Sequence, residues 1–257
     1  MTLGYIDLHC HWIAGIDDGA RSVEESLRML SQLHAVGFST VIATPHMRPG
    51  MFDNDAAALR AAYDAMAPHL GAAPGMPSVG LASEHFFDGV VFERMMRGDV
   101  LPYPHGAAGA PVPPGAAPAA PKKKRSVLVE LPTQAFPVQL AARMFDLQRA
   151  GLRPVLAHPE RYRPVWSDDA CLDPLLDAGV VLLLDVCAVV GKYGRAAQKA
   201  AEKLLEEEAY EAACSDAHRP EDADVCASAF ERLERLVGKE ERHRLLADGP
   251  AGILRGA

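Results

Sequence analysis

Short apolar runs alternate with helix-patterned segments along almost the whole chain, and this alternation limits the fold more than any other feature. Seven strand patterns are each followed by a helix pattern. The predicted strands are 5–9, 40–44, 78–82, 126–131, 153–157, 180–186 and 210–214. The predicted helices begin at Ser22 and then cover 55–70, 88–97, 137–150, 170–178, 195–208 and 220–237. Repeated β-then-α units indicate parallel strands with right-handed crossovers, either in a closed barrel or in an open doubly wound sheet.

Histidines and carboxylates stand at the ends of six of the seven predicted strands. His9 and His11 form an H-x-H pair, and because side chains two apart on a strand point to one face, both can reach one ion. The other groups are Asp17 and Asp18 in IDDG, His46, Glu84, Glu130, His158, Asp216 and His218. The carboxyl ends of parallel strands meet on one rim, where active sites are built. We therefore expect a metal site on that rim.

The types and number of these ligands indicate what the site does. Mixed imidazole and carboxylate ligands favour Zn²⁺, Mn²⁺ or Fe and disfavour a structural zinc site of the cysteine type. About nine groups suit two or three ions, and divalent ions about 3.5–4 Å apart serve hydrolysis of phosphate esters or amides. The site is therefore predicted to be hydrolytic.

Two arginines lie beside the predicted ligands. Arg161 comes three residues after His158, and Arg219 directly follows His218. A guanidinium fork matches the oxygens of a phosphate, although either side chain could instead make a surface salt bridge. No cysteine stands in a C-x5-R loop, so a thiolate phosphatase would lack its nucleophile. Cys10 is predicted to point into the core, and Lys192 and Tyr193 are assigned no role.

The remaining histidines are interpreted as bystanders. They lie on predicted helices, in a loop or beside a candidate ligand: His34, His69, His85, His105 and His243.

Composition excludes several other classes of protein. Hydrophobic residues make up 49% of the 257 positions, too many for a disordered chain. No stretch approaches the roughly 20 apolar residues of a membrane span, and the first residues do not resemble a secretory signal. The net charge of −8 argues against general nucleic-acid binding. Five cysteines without a C-x-x-C pair suit reduced thiols in a cytoplasmic protein.

One segment interrupts the β/α alternation. Residues 104–121 are almost all Pro, Gly and Ala, and a KKKR run follows to residue 125. This composition predicts a flexible surface loop inserted in a single domain that spans residues 1–257. The basic run is interpreted as a solvated charge cluster, with docking of an acidic partner as the alternative.

Six motifs, in chain order, carry a resemblance to a known family. DLHCHWIAGIDDGARSVEESL, TVIATPHM, VLVELP, VLAHPERY, VGKYG and CSDAH resemble the polymerase and histidinol phosphatase (PHP) superfamily. They are most similar to its bacterial capsule and exopolysaccharide branch, the manganese-dependent protein-tyrosine phosphatases. The resemblance implies an α/β fold of PHP type, a distorted (β/α)7 TIM-like barrel with a three-metal centre. The implied ligands are His9, His11, Asp18, His46, Glu84, Glu130, His158, Asp216 and His218.

The resemblance also implies a reaction and a partner. Members hydrolyse phosphotyrosine in the tail of a bacterial tyrosine autokinase that controls capsule or exopolysaccharide synthesis. The expected mechanism is direct attack by a metal-bridging hydroxide, with Mn²⁺ as the expected ion and Fe, Zn²⁺, Co²⁺ or Mg²⁺ as alternatives. Arg161 would hold the phosphate, and Asp216 or His218 would protonate the leaving oxygen. A second phosphate-binding arginine is expected where Ala223 stands, which leaves Arg219 as the nearest substitute.

Other functions fit some of the same features. A small-molecule phosphatase of histidinol-phosphate type or a phosphodiesterase would keep the metal centre and change the substrate. An amidohydrolase would also use an H-x-H pair on a barrel, but such enzymes usually have a lysine at the position where this chain has Glu130. A non-catalytic metal-binding regulatory module is the alternative from another class. Neither nucleic-acid binding nor membrane insertion is expected, and the oligomeric state stays open.

Overall fold

A computed structural model of the chain describes residues 4–70, 75–104 and 124–256, and the fold is described for these ranges. Their strands are β1 (Tyr5–Cys10), β2 (Phe38–Ala43), β3 (His46–Met47), β4 (Ser78–Leu81), β5 (Glu84–Phe86), β6 (Arg125–Glu130), β7 (Leu152–Ala157), β8 (Val181–Asp185) and β9 (Tyr210–Cys214). Their α-helices are α1 (Val23–Ala35), α2 (Ala56–Met66), α3 (Gly89–Met96), α4 (Leu140–Arg149), α5 (Arg163–Ser167), α6 (Asp173–Asp177), α7 (Arg195–Glu206), α8 (Asp222–His243) and α9 (Gly249–Arg255). None of these helices combines the length and apolarity needed to cross a bilayer.

The strands form two parallel sheets that together make one barrel. One sheet has the order β1-β2-β4, and the other has the order β3-β5-β6-β7-β8-β9. The two sheets meet where the first and last strands end. There the backbone N–H of His11 donates to the Ala217 carbonyl, and that of Asp216 donates to the His9 carbonyl, both at 2.9 Å. On the other side, β2 runs on into β3 and β4 into β5, so the predicted α/β barrel fold is confirmed.

The seven predicted strands differ from the structure in one respect. The second and third strand units are each broken into two strands near their ends. Pro45 stands at the first break and has no N–H to donate to a neighbouring strand. The Ser83 hydroxyl stands at the second break and donates to the Pro45 carbonyl at 2.9 Å. Each break passes the chain from the small sheet to the large one, and this is the distortion of the barrel.

The first helix begins as its sequence predicts. The Ser22 hydroxyl accepts a hydrogen bond from the Glu25 N–H at 3.2 Å, which caps α1. The Glu25 carboxylate reaches back to the Arg21 N–H at 2.7 Å. The capping box is therefore present, with its second bond one residue earlier than the standard pattern.

Three other helix predictions need correction. The helix predicted over 137–150 begins only at Leu140, because Gln139 takes a left-handed conformation with φ 60°. The helix predicted over 170–178 is a 3-10 turn, Asp169–Leu172, followed by the short α6. The helix predicted over 220–237 continues to His243 across Gly238, whose φ of 84° interrupts it.

The predicted insertion lies mainly outside the described residues. This holds for His105 and for the part of the KKKR run before Lys124. Lys124 donates from Nζ to Oε1 of Gln148 at 2.6 Å. The division into one domain with a flexible loop at 104–125 stays a prediction.

The barrel interior is filled with apolar side chains and closed by the end of the chain. Leu8, Ile42, Leu128 and Leu183, from four different strands, belong to one buried cluster with Ile253 of α9. The hydroxyl of Ser126, at the start of a strand, donates to the Ile253 carbonyl at 3.0 Å. The terminal helix therefore covers the amino ends of the strands, and the carboxyl ends stay available for a site.

Candidate metal centre

All nine residues implied as ligands lie in one cluster at the carboxyl ends of the strands. Their ligand atoms form four overlapping groups, and within each group they lie within 4.8 Å of one another. The groups are His9, His11 and Glu84; His9, His158 and Asp216; His46, Glu84 and Glu130; and His11, Asp18, His46 and His218. The shared members join the four groups into one continuous centre.

Glu84 stands at the middle of this centre. Its Oε2 lies 3.2 Å from Nε2 of His9 and 3.0 Å from Nδ1 of His46, and its Oε1 lies 3.3 Å from Nε2 of His158. Burial favours the neutral carboxyl, but His9 and His46 hold the pKa of Glu84 well below its ordinary value. Nε2 of His11 lies 3.4 Å from the same Oε2, so the central carboxylate is ionised and faces four imidazoles.

A neighbouring aspartate sets the orientation of one of the first-strand histidines. Nδ1 of His11 lies 2.8 Å from Oδ2 of Asp17, and Asp17 also accepts hydrogen bonds from the backbone N–H groups of Gly19 and His46. This fixes the His11 ring with Nε2 facing the cluster, 3.1 Å from Nε2 of His9. Asp17 thus supports the centre from behind, while Asp18 faces it.

The open side of the centre is formed by Asp18 and His218. Asp18 Oδ1 lies 3.4 Å from Nε2 of His46 and 3.5 Å from Nε2 of His218. The Asp18 side chain is 51% exposed and that of His218 is 28% exposed, whereas those of His9 and Glu84 are buried. A substrate approaching the cluster meets these two residues first.

Two members have pKa values shifted towards their neutral forms. Burial and the neighbouring Glu84 carboxylate raise the pKa of Glu130 to about 7. Burial and the positive charge of Arg161 lower the pKa of His158 to about 4. His158 is therefore a neutral imidazole at neutral pH, which is the form that binds a metal ion.

The donor set fits divalent cations. Three buried atoms that face the cluster, Nδ1 of His46, Oε2 of Glu130 and Oδ1 of Asp216, make no hydrogen bond of suitable geometry, although the first and last lie 3.0 and 3.1 Å from other members of the cluster. Unpaired buried polar atoms are costly, and a cation would satisfy all three. Imidazole nitrogens and carboxylate oxygens are suitable ligands for such ions. The described residues therefore provide a buried cluster that can hold metal ions.

Arg161 lies directly beside the cluster. Its Nη1 donates to Oδ2 of Asp216 at 2.5 Å and lies 3.7 Å from Oδ2 of Asp185. Its guanidinium carbon lies 4.4 Å from the centre of the Tyr193 ring. Two carboxylates and an aromatic face thus fix the guanidinium at the edge of the metal centre, where a phosphate could contact both.

Arg219 is placed differently. Its Nη1 donates to the carbonyls of Asp18 at 2.9 Å and His218 at 2.7 Å, and also to that of Gly19. These bonds join the loop after β1 to the loop after β9. A contact between Arg219 and the substrate phosphate stays a prediction.

Sequence reasoning missed several residues that support the site. Asp185 ends β8, the one strand unit from which no ligand was predicted, and it is completely buried beside Arg161. The sequence did contain a signal for Asp185, because three leucines followed by an acidic residue mark the end of a strand. The Phe52 ring stacks on His46 with 5.3 Å between ring centres, and no motif indicated this contact.

Several residues predicted to lie outside the site do so. Cys10 is buried, with its Sγ 3.7 Å from Sδ of Met29. His85 has a structural role, because Nδ1 lies 2.8 Å from the Leu128 carbonyl and Nε2 accepts from the Leu101 N–H. His34, His69 and His243 belong to none of the four groups.

Comparison with known proteins decides the family. The family model described as "Capsular polysaccharide synthesis, CpsB/CapC" matches residues 5–103 and 119–255. The chain belongs to the CpsB/CapC family. This agrees with the resemblance carried by the six motifs and narrows the PHP superfamily to its capsule branch.

Named relatives and a solved structure support this membership. The tyrosine-protein phosphatase YwqE of Bacillus subtilis is 27% identical over 91% of this chain and 86% of its own length. The tyrosine-protein phosphatase CpsB of Streptococcus pneumoniae is 20% identical over 97% of this chain and 98% of its own. A solved structure from the YwqE and CpsB pair, described as unique metal-dependent tyrosine phosphatases, has a TM-score of 0.80 at 26% identity. It covers 98% of this chain and 94% of its own.

The barrel is also shared with more distant proteins. An amidohydrolase of Mycoplasma synoviae has a TM-score of 0.57 at 15% identity. At this identity the likeness concerns the fold alone, and it agrees with the TIM-like barrel of the CpsB/CapC chain.

Proposed function

We propose that this CpsB/CapC chain is a metal-dependent protein-tyrosine phosphatase that hydrolyses phosphotyrosine. The observation that carries the proposal is the contact between Arg161 and Asp216 at 2.5 Å, which places a cation suited to phosphate beside a cluster suited to metal ions. Relatives named as tyrosine phosphatases, similar over most of their length, support the substrate.

The nine clustered residues would hold the ions. Bound divalent ions would supply Lewis acidity and an activated water for hydrolysis of the phosphate ester. The residues do the rest: Arg161 orients the phosphate and balances its charge, and Asp185 and Tyr193 keep the guanidinium in place. Phe52 stacks on His46 and limits the freedom of that ring.

We propose that His218 protonates the leaving oxygen, in which case the other eight clustered residues would hold the ions. Asp216 is a poor acid: burial opposes its charge, but His9 and His218 hold its pKa well below the ordinary value. The Nδ1 of His218 lies 3.0 Å from the Asp216 carbonyl, so only Nε2 is available at the open side. Metal ligation and proton donation therefore compete for this one nitrogen, and a leaving-group experiment separates them.

The finer assignments follow the family. We propose Mn²⁺ as the ion, three ions as the number, and the phosphotyrosine tail of a bacterial tyrosine autokinase of capsule or exopolysaccharide synthesis as the substrate. The family description, capsular polysaccharide synthesis, supports the pathway. The cytoplasmic location stays a prediction, and the oligomeric state stays open.

Phosphate release from a phosphotyrosine peptide tests the function, with a phosphoserine peptide and histidinol phosphate alongside. The protein is stripped with chelator and reloaded with each of Mn²⁺, Fe²⁺, Zn²⁺, Co²⁺ and Mg²⁺, and bound metal is quantified. We expect Mn²⁺ to restore turnover with a preference for phosphotyrosine. A preference for histidinol phosphate would move the chain to the small-molecule alternative, and metal binding without any turnover would favour a regulatory module.

The variant His9→Ala checks the site itself. We expect loss of turnover and of bound metal with the fold retained, measured by circular dichroism and metal analysis. Activity near that of the wild type would contradict the site assignment.

A further inference from the structure

A cavity of about 240 Å³ opens beside Arg161, and none of its lining residues belongs to the metal cluster. It is lined by residues of three segments: the loop after β6, the segment from Arg161 into α5, and the stretch before and within α7. The lining includes Thr133, Gln134, Arg161, Arg163, Trp166 and Tyr193. Arg161 thus contacts the metal centre through Asp216 and also lines this cavity.

Arg163 gives the cavity an uncompensated positive charge. Arg161 is neutralised by Asp216 and Asp185, but the side chain of Arg163 is exposed and forms no ion pair with any residue that the structure describes. Its backbone N–H donates to the Thr133 carbonyl at 2.9 Å, which fixes where the side chain begins. A carboxylate in this cavity would therefore find a guanidinium without competition from a protein acid.

Trp166 gives the cavity a fixed aromatic wall. Its indole Nε1 donates to the Glu160 carbonyl at 2.7 Å, while 41% of the residue stays exposed. The ring therefore keeps its orientation without being covered by other side chains. Tryptophan and arginine are among the residues most enriched where a binding surface contributes most of its affinity.

The position of the cavity beside Arg161 limits which part of a phosphotyrosine peptide can enter it. A phosphotyrosine whose phosphate contacts Arg161 carries its own backbone along the rim, and neighbouring residues of an extended peptide follow at about 3.3 Å each. Arg163 is two residues from Arg161 at the start of α5. Because Arg161 and Arg163 line the same cavity, a side chain close to the phosphotyrosine in the peptide is the part of the substrate best placed to enter it.

We propose that this cavity binds the carboxylate of an acidic residue next to the phosphotyrosine, so that Arg163 and Trp166 select substrates with a nearby Asp or Glu. The proposal rests on the phosphotyrosine phosphatase function and adds the sequence preference of that same site. We expect the Arg163 guanidinium to donate a charge-assisted hydrogen bond to this carboxylate, while the acidic side chain packs against the face of the Trp166 ring.

The test is the ratio of kcat/KM between matched peptides. A phosphotyrosine peptide of Gly and Ser receives a single Glu, Gln or Lys at each position within two residues of the phosphotyrosine. With the metal-loaded wild-type protein we expect kcat/KM to be about 2–5-fold higher for the Glu peptide than for the Gln peptide at one position. This is the size of effect that a partly exposed ion pair gives. Equal rates for Glu, Gln and Lys at every position would overturn the proposal.

Charge reversal makes the test specific. Arg163→Glu should remove the preference for Glu and create one for Lys at the same position. Its turnover of p-nitrophenyl phosphate, which has no neighbouring residues, should stay unchanged. Arg235→Glu makes the same charge change on α8, outside the cavity, and should leave the Glu preference intact. A loss of preference in both variants would mean a general charge effect and would reject the cavity.

Failure of the proposal is distinguishable from failure of the proposed function. If the wild-type protein hydrolyses none of the phosphotyrosine peptides, the phosphatase function fails and the preference fails with it. If it hydrolyses them all equally well, the function stands and only the cavity assignment fails. Because Arg163 is exposed, we expect its variants to fold, and a melting curve of Arg163→Gln checks this.

Discussion

Asp216 connects the two halves of the proposed active site, because its Oδ2 accepts from Nη1 of Arg161 at 2.5 Å while its Oδ1 lies 3.1 Å from Nε2 of His9. One carboxylate thus faces the predicted phosphate-binding residue with one oxygen and the metal cluster with the other. A substitution at Arg161 therefore alters the surroundings of the cluster through Asp216, and a substitution in the cluster alters the surroundings of Arg161 in the same way.

Replacing Arg161 by Ala should raise KM for phosphotyrosine peptides by roughly 10–100-fold, the effect of losing a charged hydrogen bond of about 1.5–3 kcal/mol. Arg161→Lys should have an intermediate KM, since it keeps the charge and loses the fork. Steady-state kinetics of both variants check this, with bound metal quantified in each. An unchanged KM in Arg161→Ala would contradict the phosphate-binding role.

Replacing Asp17 by Asn should lower the affinity for metal by about 10–100-fold, because the His11 ring loses the carboxylate that orients it. The affinity is measured by competition with a chromogenic chelator. The matched control is Asp64→Asn, an exposed aspartate on α2. Equal affinity in the two variants would mean that Asp17 has no part in orienting His11.

Replacing His218 by Asn separates its two possible roles. If His218 protonates the leaving oxygen, turnover of phosphotyrosine should fall by about 100-fold or more. Turnover of p-nitrophenyl phosphate should then fall much less, because nitrophenolate leaves without a proton. If His218 is only a metal ligand, both substrates should lose activity equally and bound metal should fall.

Replacing Glu160 by Gln should flatten the pH dependence of stability. Burial and the nearby Asp185 carboxylate raise the pKa of Glu160 to about 8, above its unfolded value of about 4.3. Between these values the folded state binds more protons than the unfolded state. The free energy of unfolding of the wild type therefore falls as the pH rises through this range, by at most about 1.4 kcal/mol per pH unit.

Urea unfolding at a series of pH values checks this prediction. Chelator is present throughout, so that metal binding does not add its own pH dependence. The exposed Glu206→Gln is the control and should follow the wild type. Parallel curves for the wild type and Glu160→Gln would show that Glu160 does not titrate in this way.

The sequence predicts the centre well because strand ends are well marked. An apolar run that stops at a polar residue fixes the end of a strand, and parallel strands bring their ends to one rim. His158 after β7 and Asp216 after β9 could be placed in this way. Asp18 could be preferred to Asp17 only by resemblance, since both stand in the same loop and nothing local shows which one turns inward.

Other parts depend on contacts between distant residues and leave no periodic signal. The breaks at Pro45 and Ser83 move two strand ends to another sheet, yet the apolar patterns of β2 and β4 look complete. The contact between Arg161 and Asp216 joins residues 55 positions apart in the chain. No element was predicted after residue 237, so the closing helix α9 was missed. Its first residue, Gly249, packs so tightly that a Cβ would lie 2.0 Å from the Glu211 carbonyl oxygen.

The meeting of β1 with the loop after β9 has a consequence for synthesis of the protein. His9 and His11 leave the ribosome first among the proposed ligands, and Asp216 and His218 leave it last. A nascent chain that lacks β9 has neither the partner of the His9 carbonyl nor the carboxylate beside Arg161. The complete set of nine clustered side chains therefore forms only when the barrel is closed, and we expect a chain that stops before β9 to bind metal less tightly than the full chain.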